Sequence, residues 1–297
     1  MASVRSKMLA SVMRVTMKKM LGRSGDVIKE RVSLDKMSSF TSSRKPGHTA
    51  TVGGVPGEWQ HPLSGEAQRT ILYLHGGGYA LGSPDSHRDM VGGFADAAQA
   101  KALIIDYRLG PENPFPGAVE DAVAAYKGLL DDGELPEKIF LAGDSAGGGL
   151  TVATLVSIKE QGLPMPAGGV CLSPWADLTF AGRSMHTKAL VDAMLSKETL
   201  SWMAGLYLAG QDASHPLASP IFADLSGLPP LLIQVGGDEV LLDDALRLHD
   251  VAKAAGVDST LEVWDNMMHV WHLMAKFIPE GKLATKVVGE YIVEHTS

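Results

Sequence analysis

The sequence predicts an α/β protein, with a mostly parallel sheet that carries helices on both faces. Three observations predict it. Short apolar runs alternate with helical stretches of roughly 10–15 residues over most of the chain, the rhythm of strand–helix–strand units. At 297 residues, with 45% apolar and 20% charged side chains, the chain has the length and composition to bury one large core. Finally, the apolar run at 139–142 passes through Gly143-Asp144-Ser145-Ala146-Gly147 straight into a helical stretch, which needs a sharp strand-to-helix turn.

Taken in order, residues 4–21 read as a helix. Val4, Met8, Val12 and Val15 follow helical spacing, with Lys7, Arg14 and Lys18 on the opposite side. Such a helix suits a lid packed over the main domain, a basic surface helix touching anionic lipid, or a frayed terminus. Five of the 14 methionines fall here (Met1, Met8, Met13, Met17 and Met20), an adaptable wall for a lid or merely good helix formers. The Ser-rich residues 38–47 read as a linker. Strands are expected at 49–52, 58–61, 70–74, 102–107, 139–142, 169–172, 231–235 and 260–264. Helices are expected at 90–99, 118–130, 150–159, 241–255 and 283–294. Between Trp175 and His215 the alternation stops, leaving helical pieces at 184–194 and 197–208 and a second lid candidate.

Charge and cysteine content exclude several classes. A net charge of −8 argues against a general nucleic-acid binder, which needs clustered Lys and Arg. The charge is uneven: residues 1–23 hold six basic residues, Arg23 among them, and no acid, so the remainder carries −14. The uncharged stretch in this basic start, 8–13, is too short for a signal peptide, and no run reaches the length of a membrane span. A cytoplasmic protein without stable membrane insertion is therefore expected. Cys171 is the sole cysteine, so no internal disulfide forms, and its apolar neighbours suggest a buried structural thiol.

Ser145 is the candidate nucleophile, because a serine on such a turn exposes its hydroxyl and the flanking glycines admit close backbone approach. It needs a base, a carboxylate to orient that base, and donors for an oxyanion, all on loops beyond strand carboxyl ends. Asp238, in the first loop positions after the 231–235 strand, is the expected carboxylate, with Glu239 as the spare. Asp243 and Asp244 are explained by the start of the next helix. His269, just beyond the 260–264 strand, is the expected base, ahead of His272. The histidine pair lacks the further ligands of a metal site, so no metal and no cofactor are expected. His75-Gly76-Gly77-Gly78 can point N–H groups into a cavity without side-chain obstruction, and the N–H of Ala146 adjoins the nucleophile.

With these motifs in hand, the chain resembles the hormone-sensitive-lipase-like family of α/β-hydrolases, the bacterial esterases in particular. The resemblance rests on His75-Gly-Gly-Gly78, the 106–116 segment DYRLGPENPFP, Gly143-Asp-Ser-Ala-Gly-Gly148, the 173–179 segment SPWADLT, and the neighbourhoods of Asp238 and His269. It implies the α/β-hydrolase fold and hydrolysis of small or medium acyl esters. It also implies a cap from residues 1–45 and 176–215 over a catalytic domain of 46–175 and 216–297. The oxyanion donors then map to Gly77, Gly78 and Ala146, with His75 and Gly76 shaping the loop. A small-molecule ester is the expected partner, and homodimerisation stays open because family members pair through sheet edges or terminal helices. The departures, Gly110 and Asn113 in the proline-rich segment, Glu-Val-Leu-Leu-Asp-Asp after Asp238 where a shorter Pro-Leu-Arg-Asp form is common, and Val-Trp after His269, touch pocket shape. Two alternatives stand beside this reading: a ligand-binding protein on the same scaffold, as the plant gibberellin receptors are, and amide or formamide hydrolysis by the same residues.

Overall fold

In the computed structural model, which describes residues 2–20 and 25–296, all eight expected strands join one sheet. They are β1 (His48–Val52), β2 (Val55–Gln60), β3 (Arg69–Leu74), β4 (Ala100–Ile105), β5 (Ile139–Asp144), β6 (Gly168–Leu172), β7 (Leu231–Gly236) and β8 (Ser259–Trp264). The order is β1-β2-β4-β3-β5-β6-β7-β8; β1–β2 and β2–β4 pair antiparallel and all other pairs run parallel. Every residue of β5, β6 and β7 is buried, as a parallel sheet covered on both faces requires.

Alternation along the strands divides the core into two layers. Ile71, Tyr73, Ile104, Phe140 and Val170 face one side, under α3 (Pro84–Ala98) and α9 (Pro279–Glu294), where Phe94, Val288 and Ile292 meet them. Leu72, Leu103, Leu141 and Ile233 face the other, under α4 (Gly117–Asp131), α5 (Ala146–Glu160) and α8 (Leu242–Ala254). Helix α3 starts six residues earlier than expected because Ser83 and Ser86 form a reciprocal capping box around Pro84.

The N-terminal segment departs from expectation. Helix α1 (Val4–Met20) forms, but its apolar stripe faces outward: Val4, Met8, Val12 and Val15 are 73%, 67%, 58% and 63% exposed. A different face turns inward, with Met13 buried and Leu9 and Ala10 packed against the core, and polar contacts hold it there. Ser6 Oγ donates to Glu280 at 2.6 Å, Arg14 to the Val191 carbonyl at 2.7 Å, and Lys18 Nζ to the carbonyls of Ala189 and Asp192 at 2.7 and 2.9 Å. The predicted end of this helix at Leu21, together with Met1 and Arg23, lies outside the described residues. A second helix, α2 (Val27–Thr41), occupies the first part of the predicted linker; Asp26 caps it, accepting from the Lys29 N–H at 3.2 Å. Its Arg31 donates to the Ala80 and Gly110 carbonyls and to Glu112.

In the 176–215 segment, α7 (Lys197–Leu208) forms as expected. The piece expected at 184–194 shortens to α6 (Ser184–Thr187). Further on, the Asp192 carboxylate accepts the N–H groups of Met194 and Leu195 at 2.8 Å and binds the end of the expected piece into a turn instead of a helix. Cys171 is buried, and burial pushes its thiol up to about 12. No helix among the described residues is long and apolar enough to cross a membrane.

Candidate active site

Ser145 sits between β5 and α5 with φ 55° and ψ −120°, a conformation that non-glycine residues rarely adopt. The turn is held from both sides: the Ser145 N–H donates to the Leu172 carbonyl and the Trp175 N–H to the Ser145 carbonyl, each at 2.8 Å. The flanking glycines are required by contact. A Cβ on Gly147 would overlap the Leu74 carbonyl, and one on Gly143 would overlap the Gly147 carbonyl.

Beside this turn runs the loop after β3. His75 is buried and stacks on Tyr107 with ring centroids 4.3 Å apart; Tyr107 Oη donates to the His75 carbonyl at 2.7 Å. Burial, with His87 adding to it, pulls the His75 pKa down to about 3, so the ring is neutral and donates from Nδ1 to the Gly76 carbonyl. Gly77 and Gly78 take φ of 121° and 64°. Among the described residues, nothing accepts the N–H groups of Gly77, Gly78 or Ala146. The first two belong to a loop and the third to the first turn of α5, where N–H groups lack intrahelical partners.

His269 lies where expected, beyond β8, and is buried. The carboxylate that meets it is Glu239, not Asp238. His269 Nδ1 donates to Glu239 Oε2 at 2.7 Å, while Asp238 is 36% exposed and 3.9 Å from Lys188. The turn after β7 explains the shift. The Gly237 N–H donates to the Trp264 carbonyl and the Asp238 N–H to the Met267 carbonyl, at 2.8 and 3.1 Å, which ties the turn to the His269 loop. Glu239 then folds back so that its Oε1 accepts the Gly236 N–H at 2.6 Å and the Ser173 hydroxyl at 2.7 Å. Ser173 also accepts the Val270 N–H at 3.1 Å, so it braces both Glu239 and the His269 loop. Its position just past β6, the same strand-end placement as Ser145, is the signal that could have singled it out.

Burial disfavours the His269 imidazolium, but the Glu239 carboxylate outweighs it and the net pKa is raised. His272 is set apart by its bond to Gln234 Oε1 at 2.7 Å, and burial lowers its pKa to about 3. Asp244, buried in the first turn of α8, accepts the N–H groups of Ala176 and Asp177 on Oδ2 at 3.0 and 2.9 Å. The N–H of Ser184 donates to Asp243 at 3.1 Å. Both acids therefore tie the 176–215 segment to α8. No group of three or more His, Cys, Asp or Glu side chains among the described residues is arranged to hold a metal.

Ser145, His269, Gly76, Gly77 and Gly78 border one cavity, which Leu34 of α2 and Met194, Leu195, Leu200 and Met203 also line. Its volume is about 120 Å³. Neither Ser145 Oγ nor His269 Nε2 is engaged by another described residue, so an uncommitted hydroxyl and an open imidazole nitrogen border the same space.

The family model described as the alpha/beta hydrolase fold matches residues 71–273. An acetyl-hydrolase of Streptomyces hygroscopicus is 49% identical over 272 residues, covering 91% of each chain. An esterase of Acinetobacter venetianus is 35% identical over 241 residues, 81% of this chain and 79% of that one. Among solved structures, an esterase of the bacterial hormone-sensitive lipase family superposes with a TM-score of 0.95 at 45% identity over the whole of both chains. The esterase EstE5, soaked with p-nitrophenyl butyrate, superposes with a TM-score of 0.93 at 48% identity over 99% of each. By fold, site geometry and these similarities together, the chain belongs to the α/β-hydrolase family, among the esterases of its bacterial hormone-sensitive-lipase branch.

Proposed function

We propose that this carboxylic-ester hydrolase acts on short- to medium-chain acyl esters through an acyl-enzyme on Ser145, with His269 as base and Glu239 as the carboxylate that orients it. Ser145 Oγ attacks the ester carbonyl as its proton passes to His269 Nε2. The negative charge on the carbonyl oxygen falls to the free N–H groups of Gly77, Gly78 and Ala146, each worth about 2.7–4 kcal/mol by analogy with measured oxyanion donors. Collapse expels the alcohol with the proton from His269. Water then attacks the acyl-enzyme, gives its proton to His269, and the acid leaves as the proton returns to Ser145. Glu239 holds the tautomer that keeps Nε2 unprotonated and stabilises the imidazolium when it forms.

The carrying observation is the His269–Glu239 hydrogen bond, formed with Nε2 left open to the cavity that Ser145 borders. Cavity size supports the acyl range: about 120 Å³ is somewhat less than the ~150 Å³ that holds a benzene ring, so a few carbons fit. The segments 1–45 and 176–215 serve as cap over a catalytic domain of 46–175 and 216–297, since Leu34 and the Met194–Met203 side chains form the roof. A p-nitrophenyl ester series from acetate to dodecanoate tests the reading. Turnover should peak at about four to six carbons and vanish in Ser145→Ala. Turnover that survives in Ser145→Ala, or an optimum beyond ten carbons, refutes it.

A further inference from the structure

We propose that His87 is a positioning residue for ester hydrolysis: through Asp144 it fixes the N–H of Gly76 and so aims those of Gly77 and Gly78. The inference rests on the proposed role of those two N–H groups. Asp144 directly precedes Ser145, and its buried carboxylate joins the nucleophile turn to the glycine loop. Oδ1 accepts the Tyr73 hydroxyl at 2.8 Å and the Gly76 N–H at 3.0 Å; His87 Nε2 lies 3.3 Å from the carboxylate. A Cβ on Gly76 would overlap the same carboxylate, so the loop rests directly on Asp144.

The loop needs that brace. Downstream, the Gly77 carbonyl accepts the N–H groups of Ala80 and Leu81 at 3.2 and 2.8 Å. Upstream, the Gly76 N–H is the anchor: Asp144 Oδ1 accepts it at 3.0 Å, and His87 Nε2 itself lies 3.3 Å from it, so the ring supports the loop beside Asp144 as well as through it. Gly77 and Gly78 have no side chains to hold their left-handed conformations, so the aim of their N–H groups depends on these two ends.

His87 is itself held at both nitrogens. Nδ1 lies 2.8 Å from Ser86 Oγ, which spends its own proton on the Ser83 carbonyl, and Nε2 faces Asp144. A doubly protonated ring satisfies both sides. Burial opposes that charge, but Asp144 outweighs it and raises the imidazole pKa; in return His87 helps hold the Asp144 carboxyl ionised against its own burial. A buried carboxylate stripped of its cation would be costly, and it would either take up a proton or turn toward other donors. Either change alters the acceptor of the Gly76 N–H. Since both ring nitrogens are engaged, His87 is not a second base for Ser145.

The test compares His87→Ala, His87→Gln and wild type on a p-nitrophenyl ester, and measures inhibition by an alkylboronic acid, whose tetrahedral adduct on a serine places an oxygen among oxyanion donors. His87→Ala should lower kcat about 10- to 100-fold with KM within about twofold, and weaken the boronate by a similar factor, because misaimed donors act on the tetrahedral state. His87→Gln, whose amide nitrogen can donate to Asp144, should recover most of the loss. Unchanged kcat in His87→Ala, a loss in KM alone, or equal losses in Ala and Gln overturns the positioning role. Should His87→Ala not fold, His87→Asn, polar but too short to reach Asp144, takes its place with the same criteria. Wild-type turnover that is lost in Ser145→Ala keeps failure of this inference distinct from failure of the hydrolase reading.

Discussion

Two carboxylate–imidazole pairs flank Ser145, Glu239–His269 and Asp144–His87; both imidazoles line its cavity, and the pairs differ most in how their ring nitrogens are used. Both are buried, and in both the carboxylate raises the imidazole pKa against the pull of burial. Each carboxylate also accepts a backbone N–H and a hydroxyl: Gly236 and Ser173 for Glu239, Gly76 and Tyr73 for Asp144. Yet His269 spends only Nδ1 on its acid, whereas His87 has both nitrogens engaged. A base must keep one nitrogen open to substrate. On the proposed roles, the count of committed ring nitrogens separates the base from the brace, and no difference in burial or charge would have revealed it.

The largest effect should come from removing the group that the open nitrogen serves. Ser145→Ala should lower kcat by about 10⁴–10⁶-fold on a p-nitrophenyl ester and leave the melting temperature near that of wild type. Residual activity within tenfold of wild type would move the chemistry away from this turn.

Next in size is Glu239→Gln, which keeps the shape of the acid but offers an amide that can favour the wrong imidazole tautomer. A kcat loss of about 10²–10⁴-fold is expected. The pH profile sharpens the contrast. Activity needs the neutral base, so it falls as pH drops through the raised pKa of His269, and the acid-limb midpoint of kcat/KM should lie above 6.5. Because the Glu239 carboxylate causes that rise, Glu239→Gln should move the midpoint down. An unmoved midpoint would break the assignment of the pair. The same raised pKa makes the His269–Glu239 contribution to folding stability present below 6.5 and lost as pH rises through the folded-state value.

A smaller effect belongs to the roof. Met203 lines the cavity, and its Sδ lies where a Cβ on Gly78 would stand. Met203→Ala should move the preferred acyl chain two or more carbons longer and change kcat on acetate by less than about tenfold; an unchanged chain-length profile would place the acyl group elsewhere.

The contrast between parts of the molecule also explains what was legible in the sequence. The strands were, because β5, β6 and β7 are buried on both faces and apolar runs with glycine boundaries have few other uses. Ser145 was, because Gly143 and Gly147 are demanded by backbone atoms within a few residues or on the next strand. The facing of α1 was not. Its predicted apolar stripe points to solvent because the Met13 face packs on the core and contacts to Glu280 and to the 189–192 carbonyls, 171 to 274 positions away in sequence, hold that rotation. Helix α2 was missed since Ile28 and Val32 are exposed while Val27 is buried, which leaves no regular stripe to read. His87 could not be singled out from the other histidines without the position of Asp144.

Asp238→Ala should do least, and it tests the point most directly, because Asp238 and Glu239 are neighbours of the same charge at the end of one strand. Sequence position favours Asp238, the first acid after the Gly-Gly turn. Geometry favours Glu239, because two backbone hydrogen bonds from Gly237 and Asp238 to the β8 side of the sheet curl the turn and swing the second acid inward. Asp238 is left partly exposed beside Lys188, 3.9 Å away, a separation at which a solvated pair contributes about 0–1 kcal/mol. Its removal should therefore leave kcat and the acid-limb midpoint within about twofold and 0.2 pH units of wild type. If Asp238→Ala instead lost activity as severely as Glu239→Gln, the imidazole would have to change partners during turnover, and the turn after β7 would have to open to allow it.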